Sequence, residues 1–306
     1  MRKYMEPDHP LNICKKEENN KIVGEIQSVL GKDTAALALL MTYNQKKTSP
    51  SKYADTSIGL LEELGIEHAI TSIKKTGNIQ KLFLLINSFG GQVSSSYKIA
   101  AAIRENFKQI TVFIPHYAAS GGTLVALTGN RIIMGEMSSI TPIDVQIPKN
   151  GEMHSVNSLI RAFYSENALF SETHEDDAPY HWKAMANKFD PVELQDCYDI
   201  SDHMRKHALE ILKHSDSSFK DTADGIVEKL NEKFPTHQTS IRYNEAKDIF
   251  GEKFCIKQNL NDKCSTLWSP MQCWFENYLA HESDSHIIRY VLPKELKEGG
   301  DQKCQS

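Results

Sequence analysis

The sequence predicts an α/β fold in which strand–turn–helix units wind around a largely parallel sheet. Two such units follow one another between Leu82 and Met134, and each leading strand is a short apolar run that ends at a glycine-bearing turn. Runs of this kind are strands buried on both faces, as in parallel sheets, and a strand, crossover helix and strand succession is right-handed. Ligands are then expected beyond the carboxyl ends of the strands, where both glycine turns fall.

The elements follow in chain order. Residues 1 to 30 are expected to form a polar N-terminal arm, since Met1 to Asn20 carry charge without periodicity and KKEENNK reads as a solvated run. Thr34 to Tyr43 is short and apolar, which fits a buried strand. The polar stretch QKKTSPS marks a loop, and Ile58, Leu61, Leu64 and Ile66 fall close to helical spacing. Leu82 to Ile86 (LFLLI) is the first strong strand and runs into NSFGGQV. Val93, Tyr97, Ala100, Ile103 and Phe107 then recur at steps of three and four, an amphipathic helix. Ile110 to Ile114 is the second strand, leading through PHYAASGG into a short apolar helix closed by Gly129, and Arg131 to Met134 is the third. The second half reads as mainly helical. Asp190, Pro191 and Glu193 occupy cap, first-turn and box positions, ahead of a face formed by Leu194, Cys197, Ser201, Met204, Ala208 and Ile211. Ile226, Leu230 and Phe234 mark another helix, the loop PTHQTS follows, and a short helix ends at Gly251. HIIRYVL, residues 286 to 292, fits either a strand or a helix.

Composition narrows the function. The 306 residues are 40% hydrophobic and 25% charged, with a formal charge of -5, so no basic excess exists to hold nucleic acid or an anionic membrane. The longest apolar run, Ala35 to Met41, is far shorter than the about 20 residues a membrane span needs. The polar start gives no secretory leader, so a cytoplasmic location is expected. The six cysteines are dispersed without zinc-type pairing and are expected to be reduced thiols, and no metal or other cofactor is expected. His203 and His207 share a helical spacing that can bind metal, but no HExxH glutamate accompanies them; His174 with Glu175, Asp176 and Asp177 reads as a charged surface loop. No GxxxxGK[ST] string is present.

Chemistry concentrates at Ser120. A serine at a strand-to-helix turn between Ala119 and Gly121 has little bulk around it, so its hydroxyl can meet a carbonyl carbon. Attack there creates an oxyanion, which needs two preorganised N–H donors at about 3 Å. The Gly90-Gly91 turn and Gly121 supply candidates from adjacent strands. By itself a serine among glycines also serves close packing.

PHYAASGGTLVAL followed by RIIMGEMSSITPIDVQI resembles the serine dehydrogenase proteinase (SDH) family of Clp-fold, crotonase-like serine peptidases. LLINSFGGQV resembles the glycine turn of that superfamily, and THQTSIRYNEAKDIFG its C-terminal segment. The resemblance spans roughly Lys81 to Gly251 and implies a Clp/crotonase-like spiral of βαβ units with a helical C-terminal half. Residues 31–255 are then the catalytic domain and 256–306 a C-terminal extension. It further implies a peptidase nucleophile at Ser120, an oxyanion site formed by Gly90, Gly91 and Gly121, a protein or peptide substrate and a homo-oligomer.

The base is left open. Where Clp-type proteases resemble a strand-end histidine this chain has Asp144, and where membrane-bound relatives resemble a serine–lysine dyad the helix SVNSLIRAF offers Arg161, which stays protonated. His237 has a suitable intrinsic pKa and leads, with Asp144 orienting it, acting directly, or merely capping a turn. His116 is expected to hold the elbow in place. Two other classes compete: an interaction protein whose catalytic pair has decayed, and an acyl-CoA enzyme that stabilises an enolate with the same paired amides.

Overall fold

A computed structural model describes residues 16–41, 57–149, 151–171, 173–186, 188, 190–214, 222–234, 236–252, 255–257, 263–281 and 286–294. The chain opens with α1 (Lys16–Val29), β1 (Thr34–Met41), α2 (Leu60–Lys75), β2 (Lys81–Asn87) and α3 (Val93–Asn106). There follow β3 (Gln109–Ile114), β4 (Tyr117–Ala118), α4 (Gly121–Ala126), β5 (Arg131–Met134), β6 (Ser139–Ile140), and the hairpin β7 (Gln146–Lys149) and β8 (Glu152–Ser155). The helical part holds α5 (Val156–Ser171), α6 (Tyr180–Ala186), α7 (Pro191–Lys213) and α8 (Ala223–Glu232). Last come β9 (Ile241–Arg242), α9 (Tyr243–Phe250), β10 (Cys255–Lys257), α10 (Lys263–His281) and β11 (His286–Val291).

The main sheet has the order β10-β5-β3-β2-β1-β11, parallel throughout except for β11, which pairs antiparallel with β1. Every residue of β1 is buried, and alternation sends them to opposite faces. Ala35, Leu37, Leu39 and Met41 join the core shared with α2, α3, α4, α7, α8 and α9. Ala36, Ala38 and Leu40 join a second core with Ile22 and Ile26 of α1 and Trp268, Met271 and Phe275 of α10. Two covered faces explain why these strands read as unbroken apolar runs. Phe113 of β3 is fully buried and meets Phe83 edge-on at 5.9 Å between ring centroids.

Several readings acquire detail here. The strand expected over 34–43 is β1 as far as Met41, residues 42 and 43 lying outside the described residues. The arm expected over 1–30 contains α1, whose Ile22 and Ile26 are buried; residues 1–15 lie outside the described residues. HIIRYVL resolves into β11, so the main sheet draws an edge strand from beyond residue 255. Asp190 caps α7 as its spacing predicts, with Oδ1 accepting from Val192 N at 2.8 Å, a device worth about 1 kcal/mol. Among the described residues, no helix is long and apolar enough to cross a membrane.

A second sheet positions the site. It has the order β4-β6-β9, with β4 parallel and β9 antiparallel to β6. The register Ile140↔Ile241 sets the start of β9 beside the end of β6. The residues after β4, those after β6 and those before β9 therefore emerge at one end of this sheet. These are the segments of Ser120, Asp144 and His237.

Candidate active site

Ser120 joins β4 to α4 with φ 49° and ψ −114°, and among the described residues it alone is a non-glycine with positive φ. Such a conformation costs about 1–3 kcal/mol for a residue with a Cβ and persists only where the surroundings impose it. Here Ser120 N donates to Thr141 Oγ1 at 2.8 Å, Gly122 N to Ala119 O at 2.6 Å and Leu124 N to Ser120 O at 3.0 Å. The side chain is half-buried, and its hydroxyl makes no hydrogen bond among the described residues. A strained strand-to-helix elbow that presents a serine in this way suits a nucleophile.

The turn after β2 presses against that elbow. A Cβ on Gly90, which has φ +93°, would lie 2.8 Å from Ala119 O and 2.9 Å from Ser120 Cβ. A Cβ on Gly121 would lie 2.1 Å from Ser96 Oγ and 3.3 Å from Gly91 N, so the two turns close on one another. Ile58 bridges beside Gly91: Ile58 N donates to Gly90 O at 2.8 Å and Gln92 N to Ile58 O at 2.9 Å. That pairing passes over Gly91 N, and Gly121 N lies ahead of the first helical bond of α4. Neither amide has an acceptor among the described residues. Gly90 differs: its N–H donates to Ser88 Oγ at 3.1 Å. The expectation of Gly90 as an oxyanion donor is corrected accordingly, and its part is steric.

Residues 61–176 match the family model for the ClpP-like SDH-type serine proteinase. The match covers a little over a third of the chain. It contains Gly90, Gly91, Ser120, Gly121 and Asp144 and excludes His237. Two curated relatives come from Methanocaldococcus jannaschii. Uncharacterized protein MJ1495 is 34% identical over 35% of this chain and 35% of its own length, and uncharacterized protein MJ0137 is 36% identical over 26% and 28%. The match thus spans about a third of either relative. Among solved structures, a variant of the 1510-N membrane-bound stomatin-specific protease gives a TM-score of 0.40 at 14% identity, over 64% of this chain and 72% of that one. A Pseudomonas malonate decarboxylase hetero-tetramer gives 0.31 at 12%, over 67% and 89%. The α/β architecture with its central parallel sheet is the ClpP-like one that the sequence predicts.

Asp144 follows β6 and is 5% exposed. Its carboxylate accepts from Ser155 Oγ and, at 3.2 Å, from Asn157 N in the first turn of α5. Ser155 Oγ also accepts from Ser158 N at 3.0 Å, so it caps α5 while holding the aspartate. Burial pushes the Asp144 carboxyl above its ordinary value, while these bonds and the charges of His237 and Arg161 pull it back. Asn157 extends the network: Ser201 Oγ of α7 donates to its Oδ1 at 3.1 Å, and its Nδ2 donates to Asn231 O of α8 at 2.8 Å.

His237 lies next to Asp144. Burial holds its imidazole below the ordinary histidine pKa, and the Asp144 carboxylate and backbone oppose that effect. Nδ1 is buried with no hydrogen bond among the described residues. The structure therefore brings the aspartate and the histidine together without joining carboxylate to imidazole. A lowered pKa keeps the ring neutral at pH 7, as a general base requires.

The remaining residues singled out in the sequence are placed as follows. His116 is exposed; its backbone oxygen accepts from Ser139 N at 3.0 Å, and its ring lies 6.5 Å from that of Tyr117 between centroids. Arg161 is exposed and donates to Ser158 Oγ at 3.0 Å. Lys149 pairs with Glu193 at 2.7 Å, tying the β7–β8 hairpin to α7. His207 stacks on Tyr97 at 3.7 Å between centroids, with His203 beside it at 4.3 Å. His174 is exposed, 3.6 Å from Asp176. No group of three or more metal-ligating side chains occurs among the described residues. Sequence reasoning missed Thr141, Thr123, Ser155 and Asn157. Their hydroxyl and amide groups stand inside or just after the motifs that carry the resemblance, but only the fold reveals what they bond to.

Proposed function

We propose that this protein is a serine peptidase that cleaves peptide bonds through an acyl-enzyme on Ser120. The carrying observation is the elbow itself: a serine held at φ 49° beside two amides, of Gly91 and Gly121, with no acceptor among the described residues. His237 takes the Ser120 proton as Oγ attacks the scissile carbonyl. The oxyanion accepts from Gly91 N and Gly121 N, where preorganised donors are worth about 10²–10³ in rate each. On collapse the C–N bond breaks, and His237 returns the proton to the leaving amine. Water, deprotonated by the same ring, then releases the acid and restores Ser120. Asp144 favours the imidazolium formed in each half-reaction.

The match of residues 61–176 to a serine proteinase family supports this reading. So does the small sheet, which directs the three segments to one end. A protein or peptide substrate, assembly as a homo-oligomer, action in the cytoplasm and a catalytic unit centred on residues 31–255 complete the proposal.

The test is labelling of the folded protein with a fluorophosphonate, followed by peptide mapping. An adduct on Ser120, absent from Ser120→Ala, is the expected result. A folded protein that stays unlabelled would point to an interaction protein with a decayed site. CoA-thioester binding that survives Ser120→Ala unchanged would point to enolate chemistry.

A further inference from the structure

Unlike the amides of Gly91 and Gly121, Ser120 N has an acceptor: it donates to Thr141 Oγ1 at 2.8 Å, inside the protein. Thr141 is 1% exposed, and its own hydroxyl proton goes to Pro142 O at 3.2 Å, which leaves an oxygen lone pair for Ser120 N–H. The threonine is itself held at both its N–H and its C=O. Thr123 Oγ1 donates to Thr141 O at 2.9 Å and accepts from Thr141 N at 3.3 Å. The single Thr123 hydroxyl proton is shared between Thr141 O and Ala118 O, the latter at 2.7 Å and two residues before the serine. Two buried hydroxyls thus hold the Ala119–Ser120 peptide at Ser120 N and the peptide before it at Ala118 O, and tie both to the segment that continues to Asp144.

We propose that Thr141 is the positioning residue of the nucleophile, its hydroxyl selecting the peptide orientation that gives Ser120 its positive φ. Rotation of the Ala119–Ser120 peptide changes φ of Ser120 directly, and relaxation toward negative φ removes the strain of the elbow. Relaxation also turns Ser120 N–H away from Thr141 and leaves a buried donor without an acceptor. That penalty opposes the strain and keeps Ser120 Oγ beside Gly91 N and Gly121 N. This assignment rests on the peptidase reading for its catalytic consequence but not for its geometry.

The test pairs Thr141→Val, which keeps the shape and removes the acceptor, with Thr141→Ser, which keeps the acceptor. The valine variant is expected to lower the second-order rate constant of fluorophosphonate labelling at Ser120 by about tenfold to a hundredfold, the scale of a misplaced reacting group. The serine variant should stay close to the parent. Equal labelling of the valine variant, with only a lower melting temperature, makes Thr141 merely structural and overturns the proposal. Amide exchange separates the two readings. In the parent protein Ser120 N–H should exchange far more slowly than Gly91 and Gly121 N–H, and in Thr141→Val it should accelerate. That result in a protein that never labels keeps the clamp and ends the peptidase. A Ser120 amide as fast as that of Gly91 in the parent overturns the clamp and needs no variant to fold.

Discussion

The nucleophile side and the base side of the candidate site are built to different standards. Around Ser120 the backbone groups are accounted for. Its N–H and C=O are bonded, Gly90 N is bonded, and the amides of Gly91 and Gly121 are left without an acceptor among the described residues. Around His237 the accounting stops short, because the carboxylate that should orient the ring is occupied by Ser155 and Asn157 while Nδ1 has no hydrogen bond among the described residues. The first side comes from turns that end neighbouring strands, so the sheet fixes it. The second joins a loop to a buried carboxylate across more than 90 positions of chain. On the proposed reading, the groups for attack and for the oxyanion are set by the turns, and alignment of the base falls to substrate binding.

The largest test of this contrast compares Ser120→Ala with His237→Ala. Loss of the nucleophile should abolish labelling outright. Loss of the base should lower peptide hydrolysis by about 10²–10⁴-fold and leave a residual rate from the oxyanion site. Equal, complete loss in both would mean that the two sides are already one unit. Next in size is Gly121→Ala. The added Cβ would lie 2.1 Å from Ser96 Oγ and 3.0 Å from Ser96 Cβ, so the Ser96 side chain must turn and α3 or the elbow give way. We expect hydrolysis to fall by about 10²-fold through displacement of one donor, with retained circular dichroism as the check on folding.

The same division governs what could be read beforehand. Strands buried on both faces announce themselves as apolar runs, and the cap at Asp190 follows from residue type and spacing alone, so the sheet and α7 were legible. The turn after β2 and the turn between β4 and α4 were legible because each strand runs directly into its glycines. The helix α1 was not, since its buried stripe of Ile22 and Ile26 is embedded among charges. Nor was β11, whose mixed pattern acquires meaning only from pairing with β1. At the site, a glycine turn does not tell which of its amides a neighbouring Ser88 hydroxyl will bind, so the sequence offers Gly90 as a donor on the same footing as Gly91. Thr141 and Ser155 were passed over for the converse reason: hydroxyls gain a role only from a partner distant in sequence.

A third test concerns charge. Burial holds His237 below the ordinary value of 6.5, so the acid limb of kcat/KM should fall below pH 6.5. The stability linked to burying a neutral ring is present above that value and is lost as pH falls toward the lowered pKa, because the unfolded chain binds the extra proton. Asp144→Asn removes the charge that opposes this depression. The acid limb should therefore move to lower pH still, while the plateau rate falls by about tenfold, a fraction of the full general-base contribution. An acid limb that stays in place would mean that Asp144 does not sense the catalytic proton.

The smallest effect should come from Ser155→Ala, which leaves both carboxylate and imidazole in place. Ser155 Oγ donates to Asp144 and caps α5 through Ser158 N. Removing it deletes a bond that lowers the Asp144 pKa, so burial raises that carboxyl further. The cap loss costs about 1 kcal/mol, readable in denaturant melts. Because Asp144 binds more protons in the folded than in the unfolded state, its contribution to stability is present below pH 3.8 and is lost as pH rises through the raised value. The substitution widens that window upward, and the stability difference between variant and parent should grow as pH rises across it. Hydrolysis should drop by less than in Asp144→Asn at neutral pH and approach it under acid conditions, where the aspartate is protonated. Ser155→Thr restores the hydroxyl and should return both profiles toward the parent. A variant that loses stability by the same amount at every pH would limit Ser155 to capping α5 and separate that helix from the base side of the site.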